Sequence, residues 1–496
     1  MPGDRSLSDD VVLVANRGEI AVRIIRTLQK LGLQSAVVYH EVDARSPAVA
    51  LADHAIKISG RTPVSSYLDG DQIIAAALSV AAGAIHPGYG FLSENAVFAR
   101  AVDAAGLIFV GPSADAIELM GDKIRARNFV ERSGFPVAPS AIEEDDPATF
   151  LDRARAVGAP LLVKPSAGGG GKGMRIVRDL AELDDAVTQA RGEGQRYFGD
   201  GRLYAERFVE RPRHIEVQVL GDSFGNVLHL FERECSVQRR FQKILEETPS
   251  PALSADVRKK ICETAAGIAR AAGYRNAGTV EFIYGHGEFY FLEMNTRLQV
   301  EHPVTEMTTG LDLVAEQLAV AAGHPLTFGQ DDVRSSGHAI EARLYAEAPE
   351  RDFAPTTGKI LALDFPQGDG VRIDSGIAQG QLITTAFDPM LAKIVVHGAT
   401  RSEAIARACL AIDNLVLLGC ETNAAFLRRI LGDEGFKAGE VHTGYLDEHP
   451  DIARGAAPDE NVERRLLALA ALLTRPVRDA ANAVPALHAS LGSWRN

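Results

Sequence analysis

Residues Pro165-Ser-Ala-Gly-Gly-Gly-Gly-Lys-Gly-Met174 run from one apolar stretch, Leu161-Leu-Val-Lys164, straight into another over 174–177. Four successive glycines (Gly168, Gly169, Gly170, Gly171) are costly to order, because glycine loses more backbone freedom on folding than any other residue. A flexible linker tolerates such a run. A linker is not expected to lie flush between two strands with Lys164 and Lys172 bracketing it. Amides without side chains approach a phosphate closely, and flanking ammonium groups neutralise it. The segment therefore reads as a phosphate cradle inside an α/β fold. Its spacing is neither GxxxxGK[ST] nor GxGxxG.

The rest of the chain supports that fold class. Val11-Val-Leu-Val-Ala15 is a continuous apolar run, as expected for a strand buried on both faces. A helix is predicted over 19–31, with Ile20, Ile24, Leu28 and Leu31 along one face and Gly32 as its stop. Strands follow over 35–39, 56–58, 84–85 and 107–110, a doubly wound parallel pattern. A connecting helix is expected over 122–133, a helix over 150–157, another over 180–191 and a strand over 203–207. From Pro212 the pattern alternates: strands at 214–220 and 227–232, a hairpin of 278–284 and 288–294, then 338–345, 358–363 and 390–397. Helices are read over 254–272, 311–322 and 461–473. At 496 residues about three domains are expected. The division is 1–120, a connecting helix 121–142, a small lid 143–209, a larger body 210–446 and a tail 447–496.

Two acidic features stand out. In the hairpin Glu281-Phe-Ile-Tyr-Gly-His-Gly-Glu-Phe-Tyr-Phe-Leu-Glu-Met-Asn295, a turn near Gly287 sets Glu281 opposite Glu293 to within a residue. Residues at i and i+2 share a face, so Asn295 joins them, while Phe282, Leu292 and Met294 point to the other side. Opposed carboxylates are destabilising unless a cation sits between them, and oxygen ligands suit Mg²⁺ or Mn²⁺. A solvated face of Glu–Arg pairs is the plain alternative. Directly after it, Arg297-Leu-Gln-Val-Glu-His-Pro303 places Glu301 in a turn before a proline, as a ligand-facing carboxylate or as ordinary surface loop. Gln238-Arg-Arg-Phe-Gln-Lys243 is a basic cluster in a chain of formal charge −14, and equally a solvated turn. His229 and His397 read as core or surface residues, and His86-Pro-Gly-Tyr-Gly90 is turn-rich and says little alone.

Composition narrows the function. An acidic chain without a basic tract is a poor nucleic-acid coat or anionic-membrane binder. Four cysteines without CxxC spacing form neither a disulfide framework nor a zinc site, so a cytoplasmic setting is expected. The start carries Asp4, Asp9 and Asp10 and no apolar core, unlike a leader peptide.

Taken together, Ala15-Asn-Arg-Gly-Glu-Ile-Ala21, His86-Pro-Gly-Tyr-Gly-Phe-Leu-Ser-Glu-Asn95, Met120-Gly-Asp-Lys123, the glycine run, Arg213-His-Ile-Glu-Val-Gln218, Glu234-Cys-Ser-Val-Gln-Arg-Arg240, Glu293 to Glu306 and Ala342-Arg-Leu-Tyr-Ala-Glu347 occur in an order that resembles the biotin carboxylases of the ATP-grasp superfamily. The resemblance covers 11–444. It implies an α/β and α+β multidomain fold: a Rossmann-like N-terminal sheet, a two-part ATP-grasp fold and a C-terminal biotin-carboxylase domain. It also implies a ligase that uses ATP, Mg²⁺ or Mn²⁺ and bicarbonate to carboxylate biotin on a carrier. Lys123 and Lys164 would contact phosphates, with the loop Gly168 to Gly171 over them. Glu206 would meet the adenine, and His214 and Gln238 would lie beside the nucleotide. Glu281, Glu293 and Asn295 would hold the metal. Lys243, Arg297, Gln299 and Val300 would form the bicarbonate site, with Glu301 as general base. Arg343 would steady carboxyphosphate and the developing biotin enolate, and Tyr89 would lie near biotin.

Phe241 departs from the His or Asn common in the family. Ser166-Ala167 stands where a fifth glycine is common, and Arg207 where Lys is also seen. No methionine is followed by lysine, so the biotin comes from a carrier protein or domain, on another chain or a further extension. The implied partners are that carrier and a carboxyltransferase subunit, with a homodimer or larger carboxylase complex left open. The tail resembles the junction to further domains in longer carboxylase subunits, which suggests a split subunit or a truncated longer chain. Two rivals stand beside this reading. One is another carboxyphosphate-using ATP-grasp ligase, of the carbamoyl-phosphate type. The other is a weakly active nucleotide-binding scaffold, supported only by Phe241.

Overall fold

The computed structural model describes residues 11–143, 146–165, 174–455 and 460–473. The glycine run, Lys172 and the two ends of the chain lie outside the described residues. The chain divides into two compact units, Met1–Ala453 and Arg454–Asn496. In the second unit, helix Glu460–Leu473 has Leu466, Leu467 and Leu469 exposed. Among the described residues, no helix is long and apolar enough to cross a membrane.

The first unit opens on a five-stranded parallel sheet: β1 (Val11–Val14), β2 (Gln34–Tyr39), β3 (His54–Lys57), β4 (Ala82–His86) and β5 (Ile108–Phe109), in the order β3-β2-β1-β4-β5. Side chains of β1 alternate between two cores. Val12 and Val14 pack with Ile20, Ile24 and Leu28, while Val11 and Leu13 pack with Tyr67, Ile73 and Phe98. A sheet covered on both faces requires the continuous apolar run seen in the sequence. Helix α1 (Gly18–Leu31) ends at Gly32, whose φ of 73° lets its N–H reach back to Gln29 and Leu28. Leu31, expected on the buried face, is 49% exposed, because it belongs to the last turn where the helix leaves the core.

Helix α2 (Lys123–Arg132) is capped by Asp122, which accepts from the Arg125 N–H. It leads to a four-stranded antiparallel sheet of β6 (Ser140–Ile142), β7 (Leu161–Pro165), β8 (Arg175–Val177) and β9 (Leu203–Arg207), in the order β6-β9-β7-β8. Helix α3 (Leu183–Phe198) backs that sheet and runs seven residues beyond its expected end at 191.

An eight-stranded antiparallel sheet forms the body. Its strands are β10 (Arg213–Gly221), β11 (Val227–Arg239), β12 (Gln242–Thr248), β13 (Asn276–Gly285), β14 (Glu288–Asn295), β15 (His338–Tyr345), β16 (Val371–Ser375) and β17 (Met390–Gly398), in the order β14-β13-β10-β11-β12-β15-β17-β16. Helices α4 (Ala255–Ala271), α5 (His302–Thr309) and α6 (Leu313–Ala321) pack on it. The strand expected over 358–363 is instead two short pieces, Gly358–Lys359 and Ala362–Asp364, in separate two-stranded ribbons. The bend falls at Ile360–Leu361, where Ile360 is buried and Leu361 exposed.

Buried charge joins the parallel sheet to the body. Arg23 of α1 reaches Glu306 and Asp312 at 2.7 Å each. Arg372 of β16 holds the other oxygen of Glu306 at 2.6 Å and Asp374 at 2.8 Å. Lys393 of β17, fully buried, donates to the Val300 carbonyl at 2.7 Å and lies 3.4 Å from Glu19 of α1. Burial opposes ionisation of Asp374, but Arg372 and Lys393 outweigh it and hold its carboxyl at about 2. Its stabilising contribution is therefore present above the unfolded value of 3.8 and lost as pH falls through about 2. Asp374→Asn should remove about 2 kcal/mol of pH-dependent stability at neutral pH. In urea titrations the gap between wild type and variant should narrow between pH 4 and 2. A gap constant over that range would show that the carboxyl is not held ionised by its neighbours.

Candidate active site

The hairpin β13–β14 pairs in the register the sequence indicated: Glu281 stands opposite Glu293 and Thr279 opposite Asn295. The register shifts between Glu281 and Phe282, so Leu292 is the extra residue of a bulge. Leu292 was expected to face the core with Phe282 and Met294. The bulge turns it out, and it is 46% exposed.

The carboxylate pair belongs to a longer row. Glu281 is also register partner of Glu216 on β10, and Glu216 is partner of Arg233 on β11. Four strands thus carry Glu293, Glu281, Glu216 and Arg233 side by side. A second row crosses the other half of the sheet, where Arg343 on β15 pairs with Lys393 on β17, which pairs with Asp374 on β16.

Lys243 of β12 closes the first row. Its Nζ lies 2.6 Å from Glu216, 3.1 Å from Glu281 and 2.6 Å from Glu301. Arg233, fully buried, holds the other Glu216 oxygen at 2.6 Å and donates to Gln218 and Thr305. Burial opposes the charge on Lys243, but the three carboxylates prevail and push its pKa well above the ordinary lysine value. Burial likewise opposes ionisation of Glu281 and Glu301. Lys243 and His214 keep Glu281 low, and Lys243, Arg343 and Arg233 hold Glu301 well below the usual carboxylate range. Glu216 goes the other way: its burial and the nearby Glu301 charge raise it despite Lys243 and Arg233.

Glu301 was expected in a presented turn. It is instead the residue that opens helix α5, with Pro303 in the first turn, and it is 1% exposed. Proline fits there because a first-turn N–H has no intrahelical partner to lose. One Glu301 oxygen meets Lys243, and the other accepts from Arg343 at 2.9 Å. Arg343 is also paired with Glu246. The Cys235 thiol lies 3.8 Å from Glu301, and burial raises its pKa well above the ordinary thiol value.

The loop between β14 and α5 is cross-braced. Arg297 donates to Gln299 at 2.6 Å and Asn295 at 3.1 Å, and Gln299 donates to Glu281 at 2.9 Å. Asn295 donates to Glu281 at 2.8 Å. The Val300 carbonyl takes the Lys393 hydrogen bond. Lys393 lies 6.0 Å from the centre of the Tyr89 ring, and the Tyr89 hydroxyl donates to Glu19.

Of the residues expected beside the nucleotide, His214 places Nε2 2.8 Å from Glu281, and Lys123 lies 2.8 Å from Glu293. Gln238 is buried and pairs in register with Lys243. The basic cluster is thus a hairpin, and only Arg240 and Phe241 form its two-residue turn, both with positive φ (48° and 67°). Phe241 is 87% exposed. Lys164 and Glu206 form an ion pair of 2.7 Å on β7 and β9, with Lys164 4.7 Å from the centre of the Tyr204 ring.

Among the described residues, three-residue groups able to hold a metal are His214–Glu216–Glu281 and Glu216–Cys235–Glu301. Neither includes Glu293. The donors expected for a metal, Glu281, Glu293 and Asn295, are all oxygen-bearing and lie on adjacent register positions, and that chemistry fits a hard divalent cation. Glu19, Glu94, Glu216, Arg233, Glu246 and Lys393 were not anticipated. Alternation from His214 places Glu216 on the same strand face and was the one available signal.

Comparison with known proteins places this geometry in a family. The model for the biotin carboxylase N-terminal domain matches residues 9–117, that for the carbamoyl-phosphate synthase L chain ATP-binding domain matches 122–328, and that for the biotin carboxylase C-terminal domain matches 341–448. The chain is 46% identical to a biotin carboxylase of Allochromatium vinosum over 88% of this chain and 98% of that one. It is 47% identical to biotin carboxylase 2 of Bacillus subtilis over 88% and 99%. A crystal structure of the biotin carboxylase domain dimer of Hydrogenobacter thermophilus 2-oxoglutarate carboxylase, with MgADP, ADP and bicarbonate, superposes with a TM-score of 0.82 at 43% identity, covering 90% of this chain and 99% of that one. The chain belongs to the biotin carboxylase family.

Proposed function

We propose that this chain is a ligase that carboxylates biotin on a carrier protein or domain, converting ATP and bicarbonate to ADP and phosphate through carboxyphosphate. The observation that carries the reading is the buried Glu301 carboxylate held between Lys243 and Arg343.

Bicarbonate is a poor electrophile and must be activated. One of its oxygens attacks the ATP γ-phosphorus, the bond to the ADP oxygen breaks, and carboxyphosphate forms. Lys243, Arg297, Gln299 and Val300 line a place for bicarbonate beside the base. Glu301 is ionised at neutral pH and so is able to take the bicarbonate proton. Its basicity rises when an anion draws hydrogen bonds from Lys243 and Arg343, since those cations are what depress it. Lys123 and Lys164 contact phosphates, Gly168 to Gly171 are assigned to phosphate binding from the sequence, and Glu206, His214 and Gln238 take the nucleoside side. A Mg²⁺ or Mn²⁺ bound by Glu281, Glu293 and Asn295 would neutralise charge on the phosphate oxygens. Arg343 stabilises the oxygen charge that develops on carboxylation, and Tyr89 stands beside the biotin.

In this reading 1–120 is the N-terminal domain, 121–142 the connecting segment, 143–209 a lid that excludes water, 210–446 the catalytic body and 447–496 a junction. The partners are a biotin carrier and a carboxyltransferase, in a cytoplasmic complex. The four free cysteines, three of them buried, agree with a reducing compartment.

Phosphate release by the purified chain with Mg–ATP should depend on bicarbonate and rise with free biotin. Bicarbonate-dependent release that biotin leaves unchanged would favour a carbamoyl-phosphate-type ligase, and no release at all would favour a scaffold. Glu301→Gln should lower turnover about 10³-fold with ATP affinity near normal; surviving activity would remove Glu301 as the base. Glu281→Ala should weaken Mg–ATP more than biotin, and equal losses for both would move the metal away from the hairpin.

A further inference from the structure

The segment His86-Pro-Gly-Tyr-Gly-Phe-Leu-Ser-Glu-Asn95 carries Tyr89, and through Glu94 it also bonds directly to the loop that follows β14. One oxygen of Glu94 accepts from the Thr296 backbone N–H at 3.0 Å and lies 3.4 Å from the Thr296 hydroxyl. The other accepts from Arg297 Nε at 2.9 Å. A single carboxylate thus grips the backbone of one residue and the side chain of the next.

Glu94 is itself firmly presented. Asn16 donates to the carbonyls of Pro87 and Tyr89, the Ser93 N–H bonds to Gly90, and the Asn95 N–H bonds to Leu92. The Asn95 side chain then caps helix Ala96–Ala104 by accepting from the Phe98 N–H. The two residues it grips, Thr296 and Arg297, begin a stretch, 296–300, that has no helix or strand of its own between β14 and α5. With Nε tied to Glu94, the guanidinium has only its two NH₂ groups left. They meet Asn295, the Leu298 carbonyl and Gln299. A planar fork fixed at one edge has its direction set. The pair is half exposed, with Glu94 at 38%, so it adds little to folding, and its main consequence is orientation.

We propose that Glu94 is a positioning residue for the carboxylation reaction: it sets the angle at which Arg297 meets bicarbonate and locks the loop after β4 to the catalytic loop. This rests on the reading that Arg297 binds bicarbonate. The test uses the full chain, steady-state kinetics with free biotin, and the variants Glu94→Ala, Glu94→Gln, Glu94→Asp and Arg297→Ala. Glu94→Ala and Glu94→Gln should raise KM for bicarbonate roughly tenfold and leave KM for ATP within about twofold, because one charge-assisted contact to the bicarbonate side is lost. Glu94→Asp should recover part of the loss, and Glu94→Ala should add almost nothing to Arg297→Ala. Thermal unfolding should stay close to wild type. An unchanged bicarbonate KM in Glu94→Ala, or a parallel rise in both KM values, overturns the proposal while Arg297→Ala still raises bicarbonate KM. If Arg297→Ala leaves bicarbonate KM where it was, the bicarbonate reading of Arg297 falls first, and the proposal falls with it.

Discussion

One ammonium group shared by three buried carboxylates governs the centre of this protein. Lys243 touches Glu216, Glu281 and Glu301, and the side chains of all three acids are almost wholly removed from water. Ions taken out of water must find each other in good geometry or lose their charge. That requirement fixes where β10, β12, β13 and the start of α5 lie relative to one another, since each contributes one charge. Arg233 and Arg343 complete the set from β11 and β15. Removing a single partner would leave like charges facing each other in a low dielectric, a far larger penalty than an exposed ion pair incurs.

An antiparallel sheet makes such an arrangement cheap to specify. Register partners in neighbouring strands face each other, so one charged residue per strand, correctly phased, yields a transverse row. Glu293, Glu281, Glu216 and Arg233 form one row, and Arg343, Lys393 and Asp374 another. The sheet runs unbroken from β14 to β16, and so the two rows belong to one rigid frame. Lys393 connects that frame to α1 through Glu19, and to the catalytic loop through Val300. Burial pushes the Glu19 carboxyl up to about 7, against the pull of Lys393. A charge at that junction is costly even when paired.

The same buried charges explain what the sequence concealed. Apolar periodicity marked β1, α1 and β13–β14, and the bounds 150–157, 203–207 and 338–345 agree with the helix Phe150–Val157, β9 and β15. It missed β12, where Ile244 and Leu245 are the only apolar residues among Gln242, Lys243, Glu246, Glu247 and Thr248, and β16, where Arg372 and Asp374 alternate with Val371 and Ile373. Both strands bury carboxylates (Glu246, Glu247 and Asp374), and a pattern that equates charge with surface read the start of β12 as a candidate turn and assigned no element to β16. Helix α5 was hidden by Pro303, which looks like a breaker but occupies a first-turn position where proline is tolerated. The register that sets Glu281 opposite Glu293, with Asn295 two residues on, was legible because a tight hairpin fixes register locally. Glu94 and Lys393 were not, because they meet Arg297 and Val300 only through long-range packing of separate segments.

The state of Glu301 follows from this frame and bears on how such a site works. A carboxylate held well below its usual range is fully ionised but a poor proton acceptor. Its two strongest neighbours, Lys243 and Arg343, are also the cations that the proposed reaction assigns to the anion. Any anion that engages them takes part of the field off Glu301 and raises its affinity for a proton. In the proposed role as base, Glu301 would gain strength only when the anion carrying that proton is present, and would stay inert towards solvent otherwise. Arg233 does not share in this exchange, because it is enclosed by Glu216, Gln218, Thr279 and Thr305. In the proposed reaction Arg233 would keep Glu216 in place when Lys243 turns to the anion, so that substrate binding would alter the charge balance at Glu301 without dismantling the sheet that positions it.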